Sequence, residues 1–136
     1  MKKIDHVGIA VKDLKASNRL FASLLGVDEK KIHIEEIEEQ KVVASFLKLG
    51  NTKVELIEPT SPDSPIAKFL DKKGEGTHHV AFEVSDIKAE MARLKKEGFK
   101  LLSEEPRIGA GGKLICFIHP KTSNGVLVEL VQPVKK

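Results

Sequence analysis

The chain has no tryptophan and no tyrosine, and only six phenylalanines in 136 residues. Stacking platforms for nucleic-acid bases and aromatic cages are built from such rings, so both classes are set aside. A single cysteine, Cys116, excludes an intrachain disulfide framework. It favours a reducing compartment, so the expected location is cytoplasmic, or the mitochondrial matrix in a eukaryote. No apolar run approaches the ~18 residues of a membrane-spanning helix. The N-terminus, MKKIDHVGIAV, lacks the apolar stretch and the small-residue cleavage site of a signal peptide. Charge of one sign is missing too. Lys plus Arg number 23 against 20 for Asp plus Glu, a net charge of +3 with the signs interspersed, which does not make a nucleic-acid arm. With 40% hydrophobic residues the chain is too apolar for disorder. Its length is below the ~150 residues of a typical domain, so one domain over 1–136 is expected.

What the chain does have is a repeat. Residues 6–16 read HVGIAVKDLKA and residues 79–89 read HVAFEVSDIKA, with six of eleven positions identical: His6/His79, Val7/Val80, Val11/Val84, Asp13/Asp86, Lys15/Lys88 and Ala16/Ala89. Residues 54–59 (VELIEP) match residues 128–133 (VELVQP). The offset is 73 residues at the first pair of blocks and 74 at the second. Two matched blocks at nearly one offset are the mark of a duplicated unit.

Each half has the same grammar. An alternating strand (Ile4–Val11, His79–Val84) leads to an Asp placed to cap a helix, Asp13 or Asp86. The apolar spacing Leu14, Phe21, Leu25 and its counterpart Ile87, Met91, Leu94 each predict one buried helical stripe. Gly26 and Gly98 close the helices. Three β-rich segments follow, near 30–37, 41–49 and 52–58, then near 99–103, 113–118 and 125–132. Residues 60–76, rich in Pro and Gly, predict a linker with a short helix near Ile66–Leu70. The expected fold is α+β. Two tandem βαβββ modules, about 3–59 and 77–133, would form a curved eight-stranded sheet around a central cleft.

Strand alternation sorts the polar residues. Val7, Ile9 and Val11 share the helix-facing side, which leaves His6, Gly8 and Ala10 on the other. Val80, Phe82 and Val84 do the same, leaving His79, Ala81 and Glu83. Val54 and Leu56 oppose Glu55, and Val128 and Leu130 oppose Glu129. Each module thus turns one His and one Glu away from its helix, with small residues beside the His. Two imidazoles and two carboxylates suit a divalent ion such as Zn, Co, Ni, Mn or Fe(II). A strand His is more often a hydrogen-bonded structural residue, and a strand Glu more often faces solvent. The repeat by itself leaves both readings open.

The paired βαβββ pattern with His…Glu…His…Glu resembles the vicinal oxygen chelate superfamily, which includes glyoxalase I, extradiol dioxygenases and antibiotic-binding resistance proteins. Within it the chain resembles the methylmalonyl-CoA epimerase family over nearly its whole length. The resemblance rests on IDHVGIAV (4–11), NTKVELIEP (51–59), SPIAKFL (64–70), HHVAFEV (78–84), EEPRIGAGGK (104–113) and HPKTSNGVLVELVQP (119–133). It implies metal ligation by His6, Glu55, His79 and Glu129. The implied ion is divalent, cobalt(II) first, with zinc, manganese or nickel as alternatives. It implies interconversion of (2R)- and (2S)-methylmalonyl-CoA through an enolate, with Glu129 also serving as a base, and a homodimer. Some members carry Gln at the position of Glu55, and a carboxylate there makes the site more anionic. In some bacterial relatives a second glutamate on the third strand falls at Ala44 here, so the second acid is unassigned.

Other residues have blander readings. His78 alternates to the opposite face and reads as structural. His33 reads as solvated, His119 as a loop cap, Cys116 as core and the run 35–40 as an exposed edge or turn. Gly109-Ala110-Gly111-Gly112 reads as a turn, or as a rim that lets backbone approach an acyl group. No Lys or Arg can be chosen for the CoA phosphates. The competing functions are a glyoxalase-I-type lyase on a glutathione hemithioacetal and a non-enzymatic binding module. The first would use the same four metal positions, and the second generally lacks them. An extradiol dioxygenase normally uses two His and one carboxylate on Fe(II), and fits less well.

Overall fold

Asp13 and Asp86 decide where the two main helices begin. Asp13 accepts a hydrogen bond from the Ala16 amide (3.1 Å) at the head of α1 (Leu14–Leu25), and Asp86 accepts from Ala89 (3.1 Å) at the head of α3 (Ile87–Lys96). A cap of this kind contributes about 1 kcal/mol. Gly26 ends α1 in the left-handed region at φ +70°, where a Cβ would be strained. The structure is a computed structural model and describes residues 1–134. The described residues form eight strands: β1 (Lys3–Ala10), β2 (His33–Ile37), β3 (Val42–Leu49), β4 (Thr52–Pro59), β5 (Gly76–Glu83), β6 (Arg107–Ile108), β7 (Leu114–Ile118) and β8 (Val128–Gln132). The order β1-α1-β2-β3-β4 and then β5-α3-β6-β7-β8 is βαβββ twice, as expected. Among the described residues no helix is long and apolar enough to cross a membrane.

The chain forms two compact units, one of residues 7–78 and one of residues 1–6 with the chain from His79 onward. In the first, β2, β3 and β4 make an antiparallel meander. The α1 stripe packs on it: Leu14, Phe21 and Leu25 meet Ile9, Val11, Val43, Leu47, Val54 and Leu56. The segment read as a linker holds α2 (Pro65–Lys73), longer than expected, with Ser64 as its cap. In the second unit β8 lies between β5, to which it is parallel, and β7, to which it is antiparallel. The α3 residues Ile87, Met91 and Leu94 bury against Val84, Cys116, Ile118 and Leu130.

The duplicated VELIEP/VELVQP block has a structural use. Glu58 Oε1 accepts from the Leu14 amide at 2.8 Å, and Gln132 Oε1 accepts from the Ile87 amide at 2.8 Å. Each last strand of a module is thereby tied to the first free amide of its helix, one of the four that a helix cannot satisfy internally.

One expected strand is misplaced. Residues 99–103 make only a single ladder rung, Leu101 to Ile118, and the edge strand is Arg107–Ile108. Two backbone bonds, Leu102 N–H to Phe117 and His119 N–H to Lys100, hold the segment beside β7. Leu101 packs on the α3 core while Leu102 is exposed, and Pro106, which has no amide to donate, interrupts the stretch before pairing resumes at Arg107.

Candidate metal centre

The histidines and Glu129 are brought together by strands of one unit. The Lys2 amide donates to the Glu83 carbonyl (2.8 Å), holding the first residues beside β5. Along β5, His79 and Ala81 share a face, and Ala81 lies directly opposite Glu129 on β8. His79 Nε2 and His6 Nε2 are 3.1 Å apart, and each is 3.1 Å from Glu129 Oε1. All three side chains are buried. Ala81 is sealed against Ile115, Val131 and Phe117, and the Phe117 ring meets His79 edge-on at 5.7 Å.

The triangle has the dimensions of a coordination face. Three donors on adjacent corners of an octahedron with bonds of about 2.1 Å are about 3.0 Å apart. Two imidazole nitrogens and a carboxylate oxygen are also the donor types a divalent transition ion takes. Proton bookkeeping points the same way. His6 Nδ1 is 2.7 Å from Asp5 Oδ2. An ionised carboxylate can only accept, so Nδ1 carries the proton and a neutral His6 presents a bare Nε2 to the cluster. The edge from that nitrogen to Glu129 Oε1 then joins two acceptors. It is relieved by an added proton on His6 or by a cation. Burial pushes the Glu129 carboxyl up. With the added proton on His6, hydrogen bonds from His6 and His79 outweigh this and hold it below its ordinary value, so Glu129 is then an anion at neutral pH.

Glu55 belongs to the other unit. It is buried at 7% on β4, opposite Phe46, on the side of the strand away from Leu56 and the α1 core, as alternation predicted. Ala44 is wholly buried on β3 between Glu35 of β2 and Ile57 of β4. Its methyl group cannot move a proton.

The blander readings hold. His78 packs its ring edge-on against Phe69 at 4.9 Å. His33 is exposed beside Glu35. His119 Nδ1 accepts from the Lys121 amide at 3.0 Å and caps its turn. Cys116 is core, and burial pushes its thiol up. The stretch 110–112 is a tight turn leading into β7, with Gly111 at φ +67°. Two residues of interest escaped the sequence reading. Asp5 is buried against His6, and its only sequence signal is that it directly precedes a candidate ligand. Arg107 is opposite Ile115, itself opposite Val131, which puts it on the Glu129 side of the strands. No periodicity in the sequence singles it out from the other cations.

A family model for the glyoxalase/bleomycin resistance protein/dioxygenase superfamily matches residues 5–117. The chain belongs to this superfamily. Among relatives within it, the mitochondrial methylmalonyl-CoA epimerase of Homo sapiens is 45% identical over 131 residues, 96% of this chain and 73% of that protein. The ethylmalonyl-CoA/methylmalonyl-CoA epimerase of Cereibacter sphaeroides is 45% identical over 132 residues, 96% of this chain and 97% of that one. A solved structure of the Streptomyces coelicolor methylmalonyl-CoA epimerase in complex with 2-nitronate-propionyl-CoA superposes with a TM-score of 0.93 at 39% identity, covering 99% of both chains. The superfamily's fold is thus the fold of this chain.

Proposed function

We propose that this protein is a methylmalonyl-CoA epimerase, interconverting the (2R) and (2S) thioesters by removing and returning the C2 proton. The observation that carries the reading is the buried 3.1 Å triangle of His6, His79 and Glu129 in a chain 45% identical to epimerases over nearly all its length. These three residues, with Glu55 as the fourth ligand, would hold a divalent cation. Cobalt(II) is the proposed ion, and zinc, manganese and nickel fit the same donors. When bound, such an ion supplies Lewis-acid stabilisation of the negative charge that develops on the thioester oxygen as C2 loses its proton.

The chain's own groups divide the remaining work. Glu129 engages both histidines through Oε1, which leaves Oε2 to take the C2 proton. One carboxylate then serves as ligand and base at once. Phe117 and Ala81 close one wall of the cluster and exclude water from it. Return of a proton to the opposite face of C2 needs a second donor, which Ala44 does not provide. A homodimer completes the reading and rests on the family resemblance, and a cytoplasmic or mitochondrial-matrix location fits the single cysteine.

Deuterium incorporation at C2 of methylmalonyl-CoA in D2O, followed by mass spectrometry on protein stripped of metal and refilled with cobalt(II), tests the proposal. Metal-dependent exchange is expected. Metal bound without exchange shifts the function to a glutathione hemithioacetal or another thioester. No bound metal leaves a binding module.

A further inference from the structure

The two modules repeat the ligand histidine but not the residue before it. His6 follows Asp5, and at the matching position His79 follows His78. Asp5 is a carboxylate only 4% exposed, and a charge so buried needs a hydrogen-bonding partner. Its partner is the ring nitrogen of His6 that faces away from the cluster, 2.7 Å from Oδ2, the length of a charge-assisted bond. The other nitrogen of the same ring is the one 3.1 Å from both Glu129 Oε1 and His79 Nε2. Asp5 thus reaches the cluster through His6. His78 turns instead to the Phe69 ring, so the duplication did not copy the carboxylate.

We propose that Asp5 is a positioning residue: through its bond to Nδ1 it holds His6 in the Nδ1–H form with a bare Nε2 aimed into the cluster, and the site's affinity for a divalent cation depends on it. The inference rests on the metal-binding reading of His6, His79 and Glu129. An imidazole with its outer N–H held by a carboxylate is oriented before the ion arrives and is a more basic donor to it. An imidazole free to choose its tautomer would place Nε2–H toward Glu129, which is the form that cannot ligate.

The test compares the parent with Asp5→Asn, Asp5→Ala and His78→Asn. Cobalt(II) affinity is measured by chelator competition, the visible cobalt(II) spectrum is recorded, and far-UV circular dichroism reports folding. In the metal-free proteins, long-range ¹H–¹⁵N spectra read the tautomer of the His6 ring. Asp5→Asn is isosteric and keeps an acceptor oxygen, so it guards against a variant that does not fold. The expected result is roughly 10- to 100-fold weaker cobalt(II) binding for Asp5→Asn, with an altered visible spectrum and an unchanged fold. Asp5→Ala should weaken binding at least as much and shift the His6 ring toward Nε2–H. His78→Asn should stay within about twofold of the parent, against that same expected drop. Parent-like cobalt(II) affinity and spectrum in Asp5→Asn would overturn the role of Asp5 while leaving the metal site standing. Failure of the parent itself to bind cobalt(II) would overturn both.

Discussion

Glu58 and Gln132 offer a stability experiment in which each module checks the other. Both side chains hold the first amide of a helix at 2.8 Å, but only Glu58 is charged. Glu58→Ala removes the acceptor, and the lost hydrogen bond costs about 1 kcal/mol. It also removes a negative charge from a helix N-terminus, worth about 0.3–1 kcal/mol. The sum is about 1.3–2 kcal/mol. Glu58→Gln keeps an oxygen in place and loses only the charge. Asp13 caps the same helix, so relief of its repulsion returns a few tenths of a kcal/mol. The net cost of Glu58→Gln should be below about 0.8 kcal/mol on these terms. Gln132→Ala, with no charge to lose, should cost about 1 kcal/mol. Urea unfolding at 25 °C with a common m-value measures all three. If Glu58→Gln costs as much as Glu58→Ala, the charge rather than the oxygen is what matters, and the capping argument fails. The experiment bears on the site because β4 and β8 carry Glu55 and Glu129.

Four further outcomes are expected. His79→Ala removes one corner of the 3.1 Å triangle, so bound metal, by elemental analysis, and C2 exchange should both fall while the fold survives; retained activity would remove His79 from the ligand set. Glu129→Gln should retain some metal, since an amide oxygen still ligates, yet lose most exchange, and full exchange would exclude it as the base. Arg107→Gln should raise KM for the CoA thioester roughly three- to tenfold with kcat nearly unchanged, for a charged contact worth about 1 kcal/mol. The carboxyl of Asp63, bonded to Lys41 and Ser61, is lowered from 3.8 to about 2. A depressed folded-state value stabilises the fold above the unfolded value and is lost as pH falls toward 2. Asp63→Asn should therefore flatten the acid limb of stability between about pH 4 and pH 2, read from urea midpoints, and an unchanged limb would count against the pairing.

Much of this molecule was legible because its cues are local or periodic. Asp13, Asp86 and Gly26 act within one turn of a helix, and the Leu14–Phe21–Leu25 stripe follows the helical repeat. The side of the strand taken by Glu55 and Glu129 follows from a period of two, and that is where both are found. The edge strand was not legible. Residues 99–103 are apolar enough for a strand, yet Leu101 and Leu102 turn opposite ways and only one rung forms.

Sequence alone determined that the chain is two βαβββ halves and that one His and one Glu in each face away from the helix. Tertiary pairing decided the rest. His6, His79 and Glu129 are separated by tens of residues, and their common 3.1 Å spacing exists only because the first residues lie along β5 and β8 runs parallel to it. The parallel register of β5 with β8 puts Ala81 opposite Glu129, and β6 pairing with β7 puts Arg107 on the Glu129 side of the strands. Neighbours on a strand point to opposite faces, so adjacency gave no reason to join Asp5 to His6. Burial did so, because a carboxylate taken out of water needs a donor, and the nearest one is the ring of His6.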